Sequence, residues 1–311
     1  MREVLNKFLD AYWLRPEIAL WRTCDVESMK NFEFKSPSLD LGCGDGVFSF
    51  LRAGGVFGDA YDEFMDVDNL NGFFANEDVY DSFHDIEKVE IKKQADYKID
   101  IGLDHKSNLL EKARKKDLYN ELVVADANKG LPFEDESFES IFSNIIYWLN
   151  DPLKIFTEIH RVLRRGGTCC VMLPNSNFLD ASFYYTHYIK NGQPERYEFL
   201  KLIDRGRTSD NIKIIKTYDE WKYIIEKTGL EVVECIPHLS KSLIQIWDIG
   251  LRPIFPMLKK MTMHLDEKIC MEIKKEWVDL FLKIGEPIVE NEGILTETEA
   301  FCFYCFILRK K

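Results

Sequence analysis

The chain has 311 residues, 46% of them hydrophobic and 30% charged, which is too apolar for a disordered polymer and too charged for a membrane-embedded one. Its net charge of −12, from 53 acidic against 41 basic residues, repels a phosphate backbone, so nucleic acid is not an expected partner. The first ten residues hold Arg2, Glu3, Lys7 and Asp10 with no apolar run behind them, and no later stretch reaches the roughly 18 uncharged apolar residues of a transmembrane segment; the expected location is the cytoplasm.

Residues 1–35 read as helical, with Phe8, Leu9, Tyr12, Trp13, Ile18 and Trp21 on an apolar face, and are expected to form an N-terminal lid. From Ser38 onward short apolar runs alternate with amphipathic segments, the pattern of a parallel sheet wrapped by helices. The expected strands are Ser38–Leu41, Ile99–Leu103, Leu122–Val124, Ser140–Ser143, Thr168–Leu173, Leu230–Ile236 and Ala300–Leu308. Expected helices include Phe48–Arg52, Asn108–Lys116, Pro152–Leu163 before a Gly166-Gly167 stop, and Tyr218–Lys227 before Gly229. The fold class is therefore α/β, a doubly wound seven-stranded, mostly parallel sheet with an antiparallel last strand. Residues 36–175 make the core, with an insertion at 54–98 that carries eleven acids between Asp59 and Glu90 against the single base Lys88. Residues 176–311 hold the sixth and seventh strands and helical cap insertions at 176–216 and 240–298.

The eight cysteines are scattered through a chain without secretory signals and read as free thiols. Cys302 and Cys305 form a C-x-x-C, but within a strand that spacing sends the side chains to opposite faces, so no metal site is expected there. The acids Asp59, Asp62, Asp66 and Asp68 lack the glycine and glutamate pattern of a calcium loop.

The first strand runs into a glycine-rich turn, Asp40-Leu41-Gly42-Cys43-Gly44-Asp45-Gly46, where a ligand can approach backbone. The spacing is G-x-G-x-G rather than the G-x-G-x-x-G of a dinucleotide site, and Asp40 favours a cation or an amino group over a pyrophosphate. The second strand ends at Asp104-His105, where an acid can accept hydrogen bonds from ribose hydroxyls. The third is followed by Asp126-Ala127, where a carboxylate and a backbone N–H can hold the amine and a ring nitrogen of adenine.

In this order D-L-G-C-G-D-G, I-G-L-D-H, A-D-A-N-K-G-L-P-F-E-D-E-S-F-E-S-I and E-I-H-R-V-L-R-R-G-G resemble the class I small-molecule methyltransferases across residues 36–173, with a fainter continuation in 218–234. The resemblance implies a Rossmann-like fold, S-adenosyl-L-methionine as cofactor and a small-molecule methyl acceptor. It implies that Asp40, Gly42, Cys43 and Gly44 line the methionine end, Asp104 with His105 the ribose, Asp126 and Ala127 the adenine, and that Asn144 faces the transferable methyl. The segment Asn144–Leu149 departs from the His-rich form common in relatives and makes the acceptor side more aromatic.

An N-terminal helix folded over the sheet edge can also bring Arg15 or Arg22 to the cofactor's carboxylate, ordinary surface arginines being the plain alternative. Tyr12, Trp21, Tyr147 and Trp148 are the candidate acceptor-binding residues. Methyl transfer needs no nucleophilic side chain, and a hydroxyl acceptor is helped by a base, for which His105, His84 and His187 are the candidates. R-P-E-I-A-L-W-R and A-G-G-V-F-G are faintly similar to methyltransferases of surface-glycan assembly, so a sugar or glycan-linked acceptor is the first expectation. An aromatic or quinone-like acceptor, or a non-catalytic cofactor-binding module, is the alternative. Oligomeric state is not legible.

Overall fold

The computed structural model describes residues 1–64, 89–192, 195–196, 198, 200, 214–298 and 300–311. Two helices open the chain, α1 (Arg2–Ala11) and α2 (Pro16–Ser28), the second with proline in its first turn. The α/β alternation follows: β1 (Ser38–Leu41), α3 (Val47–Arg52), β2 (Val56–Phe57), β3 (Ile91–Lys93), β4 (Ile99–Asp104), α4 (Ser107–Arg114), β5 (Tyr119–Val124), β6 (Phe138–Ser143), α5 (Pro152–Val162) and β7 (Leu163–Pro174). The C-terminal part contains α6 (Asn177–Ala181), α7 (Tyr218–Lys227), β8 (Leu230–Ser240), α8 (Lys241–Ile249), α9 (Phe255–Thr262), α10 (Glu267–Glu290), α11 (Glu292–Thr298) and β9 (Phe301–Lys310).

Seven strands form one sheet in the order β5-β4-β1-β6-β7-β9-β8. β1 pairs in parallel with β4 and β6, as do β4 with β5 and β6 with β7, while β9 runs antiparallel between β7 and β8. Six strands thus point one way and β9 the other, as expected. The chain leaves β1 toward β4 and β5 and then returns to β6, so the topological switch lies beside the glycine-rich turn, where open α/β sheets bind their ligands.

Side-chain alternation divides the interior. Ile141 and Cys169 point into a layer with Phe156, Ile159 and Trp221 of α5 and α7. Phe142 and Cys170 point the opposite way, toward Met29 and Phe32. Cys302 and Cys305 fall in different clusters, and all eight cysteines are free. The indole N–H of Trp221 donates to the Pro174 carbonyl at 2.9 Å, satisfying the buried ring and locking α7 to the end of β7. A third cluster joins Leu5, Phe8, Trp13 and Trp21 from the N-terminal helices to Leu243, Phe255 and Val278 from the C-terminal helices.

Several boundaries differ from those expected. α5 ends at Val162, and Gly166-Gly167 lie inside the long strand β7 rather than stopping a helix; the register of β6 against β7 shifts at this point. β8 continues to Ser240, carrying His238 to the carboxyl edge. The acidic insertion contributes a separate antiparallel ribbon of β2 and β3, which period-two reading missed because each strand is only two or three residues long. The stretch from 65 to 88, including the candidate His84, lies outside the described residues. Among the described residues no helix is long and apolar enough to cross a membrane.

Candidate active site

The glycine-rich turn is held from below by the end of β4, because the Gly42 and Cys43 N–H groups both donate to the Leu103 carbonyl, at 2.8 and 3.0 Å. Two of its glycines serve different needs. Gly42 has φ +82°, and a Cβ there would lie 2.2 Å from Ile145 Cγ1, so packing against the segment after β6 excludes a side chain. Gly44 has φ +56°, and a Cβ there would meet nothing within 4 Å. Its backbone faces open space, as a ligand-approach position requires.

Asp104 closes one side of this turn. Its Oδ2 accepts from the Gly44 N–H at 3.0 Å and its Oδ1 from the Lys106 N–H at 2.9 Å, while 7% of the residue remains exposed. On the next strand the Ala125 N–H donates to the Asp104 carbonyl at 3.0 Å, bringing the Asp126-Ala127 turn alongside. Asp126 Oδ1 accepts from the backbone and the side-chain amide of Asn128, at 3.0 and 3.1 Å, and the Asn128 N–H chiefly holds the carboxyl below its ordinary value. On the other side Ser143 Oγ donates to the Leu41 carbonyl at 2.9 Å, joining the ends of β6 and β1 just before Asn144. The glycine turn, Asp104, Asp126-Ala127 and Asn144 therefore follow the carboxyl ends of four adjacent strands.

Asp40 and Cys43 turn away from that row. The Asp40 carboxylate is buried beneath the turn, where it accepts from Ser49 Oγ at 2.5 Å and from the Tyr119 hydroxyl at 2.7 Å. Burial raises its pKa to about 6 despite those two bonds. Asp40 thus braces β1 against α3 and β5. The Cys43 thiol lies against Gly102, whose Cβ would come within 3.0 Å of Sγ, and burial pushes its pKa well up.

Glu63, which meets Asp45 of the loop, was missed by sequence reading. Burial and the neighbouring Asp45 push Glu63 well above the usual carboxylate range, and the Tyr61 hydroxyl donates to Glu63 Oε2 at 2.5 Å. Asp45, although burial opposes it, is held below its ordinary value by the hydrogen bond from Glu63, by the Lys116 ammonium and by the Val47 N–H. Within this pair the proton is therefore held more tightly on Glu63 than on Asp45. Asp45 was visible in the motif; Glu63 sits in the acidic insertion, where nothing in the spacing separates it from its neighbours.

The N-terminal helices bring a polar group into this aromatic interior. Arg22 donates to Asp25 Oδ2 at 3.0 Å, lies 5.4 Å from the centroid of Phe48 on α3, and is close enough to Tyr12 and Tyr147 for both hydroxyls to bear on its charge. Asp25 Oδ1 also meets His238 Nε2. Tyr147 is buried and packs edge-on against Phe303, whose ring lies 5.2 Å from Trp21; Trp21 stands 4.4 Å from Trp247. Tyr12, Trp21 and Tyr147 therefore gather around α2, and Trp148, 44% exposed, meets Tyr147 edge-on at 5.3 Å from its outer side.

Arg15 is placed elsewhere. Its Nε donates to Glu17 at 2.5 Å in a buried pair, and its guanidinium lies between Phe64 and Phe255, 5.8 Å from each centroid. Of the histidines proposed as bases, His105 has Nδ1 3.3 Å from Asp104 and is 66% exposed, and His187 stacks on Phe183 one helical turn away. Among the described residues no cluster of three or more metal-ligating side chains occurs.

A family model described as "Methyltransferase domain" matches residues 90–171, from β3 to the middle of β7. The sheet order and the row of residues at four strand ends accord with that match, which covers about a quarter of the chain. The chain is similar to a demethylmenaquinone methyltransferase of Thermotoga maritima, 32% identical over 111 residues that make up 33% of this chain and 46% of that protein. It is similar to the chloroplastic 2-methyl-6-phytyl-1,4-hydroquinone methyltransferase 2 of Oryza sativa, 27% identical over 132 residues, 41% of this chain and 37% of the other. A trans-aconitate 2-methyltransferase of Rhizobium rhizogenes is 32% identical over 92 residues, 29% of this chain and 35% of that one. The chain spans less than half the length of each of these relatives.

Proposed function

We propose that this protein is an S-adenosylmethionine-dependent methyltransferase whose acceptor is a small aromatic or quinone-like molecule. The observation that carries the reading is the row formed by the open Gly44 backbone, Asp104, Asp126-Ala127 and Asn144 along four adjacent strand ends. This donor set fits the cofactor: a backbone face without a Cβ, a carboxylate beside it for vicinal hydroxyls, and the Asp45–Glu63 pair to receive an ammonium group. When bound, the cofactor supplies an electrophilic methyl group on a sulfonium.

This chain's residues then have three tasks. Asp104 and the Asp126 turn fix the nucleoside end, Asn144 and Tyr147 border the path of transfer, and the aromatic groups around α2 exclude water and orient the acceptor for in-line attack. The N-terminal helices, together with the cap at 240–298, act as the wall of the acceptor pocket. The aromatic character of that wall and the hydroquinone and menaquinone precursors named for two relatives support an aromatic acceptor. The glycan-linked acceptor lacks comparable support, since Arg15–Trp21 are engaged within the buried N-terminal helices.

Transfer of radiolabelled methyl from S-adenosylmethionine to a panel of dihydroxynaphthalenes, alkylated hydroquinones and nucleotide sugars tests the proposal. Labelling of the phenolic acceptors is expected. Exclusive labelling of the sugars, or turnover that survives Asp104→Ala undiminished, would overturn it.

A further inference from the structure

The helix α10 buries one face through Lys274, Val278, Leu282, Gly285 and Val289, yet among the described residues a second apolar stripe on it stays uncovered. Ile269 is 49% exposed, Ile273 39%, Leu280 53% and Ile284 49%. At about 100° per residue these four share one side of the helix over roughly four turns. Scattered exposed hydrophobics are ordinary, but a continuous stripe on a 24-residue helix marks an interaction surface.

The stripe is symmetric about the midpoint between Glu276 and Trp277. Laid antiparallel on a copy of itself, α10 places Ile269 against Ile284 and Ile273 against Leu280, and each contact occurs twice, as a two-fold interface requires. Under such a two-fold the same flank of each helix meets the same flank of the other. The exposed Glu272 and Lys283 lie on one flank, Lys283 two residues farther from the midpoint than Glu272, an offset of about 3 Å along the axis that a lysine side chain spans, so each carboxylate can meet the partner helix's ammonium, again twice. Glu276 is the exception, because it sits nearest the axis and faces its own copy.

We propose that α10 is a self-association surface on which two copies of this chain pair antiparallel, with apolar contacts along the stripe and crossed Glu272–Lys283 ion pairs at its edge. The proposal does not depend on the enzymatic reading, and its test contains no activity measurement.

Sedimentation velocity on the intact chain should show a concentration-dependent dimer. Ile273→Glu with Leu280→Glu should abolish it, and because both side chains are exposed, circular dichroism should report an intact fold. Lys283→Glu should weaken the dimer about tenfold by setting like charges opposite each other, and Glu272→Lys in the same chain should restore it. Glu276→Gln should tighten it. A monomer at every concentration, a dimer indifferent to the glutamate pair, or failure of the charge exchange to restore pairing would each overturn the proposal. So would a monomer that co-sediments with phosphatidylcholine–phosphatidylglycerol vesicles through the same isoleucines, since the stripe would then face lipid.

Discussion

His238 Nε2 lies 3.2 Å from Asp25 Oδ1, joining the carboxyl end of β8 to α2 with both residues almost fully buried. Asp25 is shared with Arg22. Nε2 meets this carboxyl, while Nδ1 has no hydrogen-bond partner among the described residues. His238→Ala removes one partner of a buried charged group and should cost about 1–3 kcal/mol in urea unfolding. Asp25→Asn, which loosens Arg22 as well, should cost more, about 3–5 kcal/mol. Equal midpoints for the wild type and both variants would show that the helix is not anchored through this pair.

The two turn glycines should separate when each is replaced by alanine. Gly42→Ala forces a side chain into Ile145 at a positive φ, so a marked loss of thermal stability is expected. Gly44→Ala meets no neighbour and should cost only the left-handed backbone strain, about 1–2 kcal/mol, while cofactor affinity falls at least about tenfold. Thermal unfolding and calorimetric titration on the two variants check the contrast, and equal losses of both quantities would contradict it.

Asp104 is expected to hold two vicinal hydroxyls through charge-assisted bonds, about 1.5–3 kcal/mol in all. Asp104→Ala should therefore weaken S-adenosylhomocysteine binding by about tenfold or more in a folded protein. An unchanged dissociation constant would remove Asp104 from the ribose subsite.

The sheet was legible because its strands are apolar runs bounded by turn residues, and because G-x-G-x-G after the first strand separates this turn from a dinucleotide site. The orientation of the acids was not. Asp40 precedes the turn in sequence, yet strand alternation sends its side chain under the turn to Ser49 and Tyr119, a partner 79 positions away. Arg15 looked free to reach a carboxylate until Glu17 took its Nε. His238 was missed because the sixth strand was expected to end at Ile236, and only the continued pairing with β9 carries it to the edge.

The buried Asp40 gives a pH signature. Its folded pKa of about 6 exceeds the ordinary value of 3.8, so the folded state binds the proton more tightly than the unfolded one. The resulting stabilisation is complete below about pH 4 and is lost as pH rises through about 6, amounting to about 3 kcal/mol. Between pH 4 and 6.5, Asp40→Asn should therefore gain stability relative to the wild type as pH rises. A difference that does not change with pH would mean that Asp40 is solvated or ionised throughout.

The central claim is that the turn after β1 and the acids beside it bind S-adenosylmethionine rather than a dinucleotide. Isothermal titration of the intact chain with S-adenosylmethionine, S-adenosylhomocysteine and NAD measures this directly. Dissociation constants of about micromolar or below for the first two, with no heat from NAD, are the predicted result. Tight NAD binding without a response to either sulfur compound would contradict it.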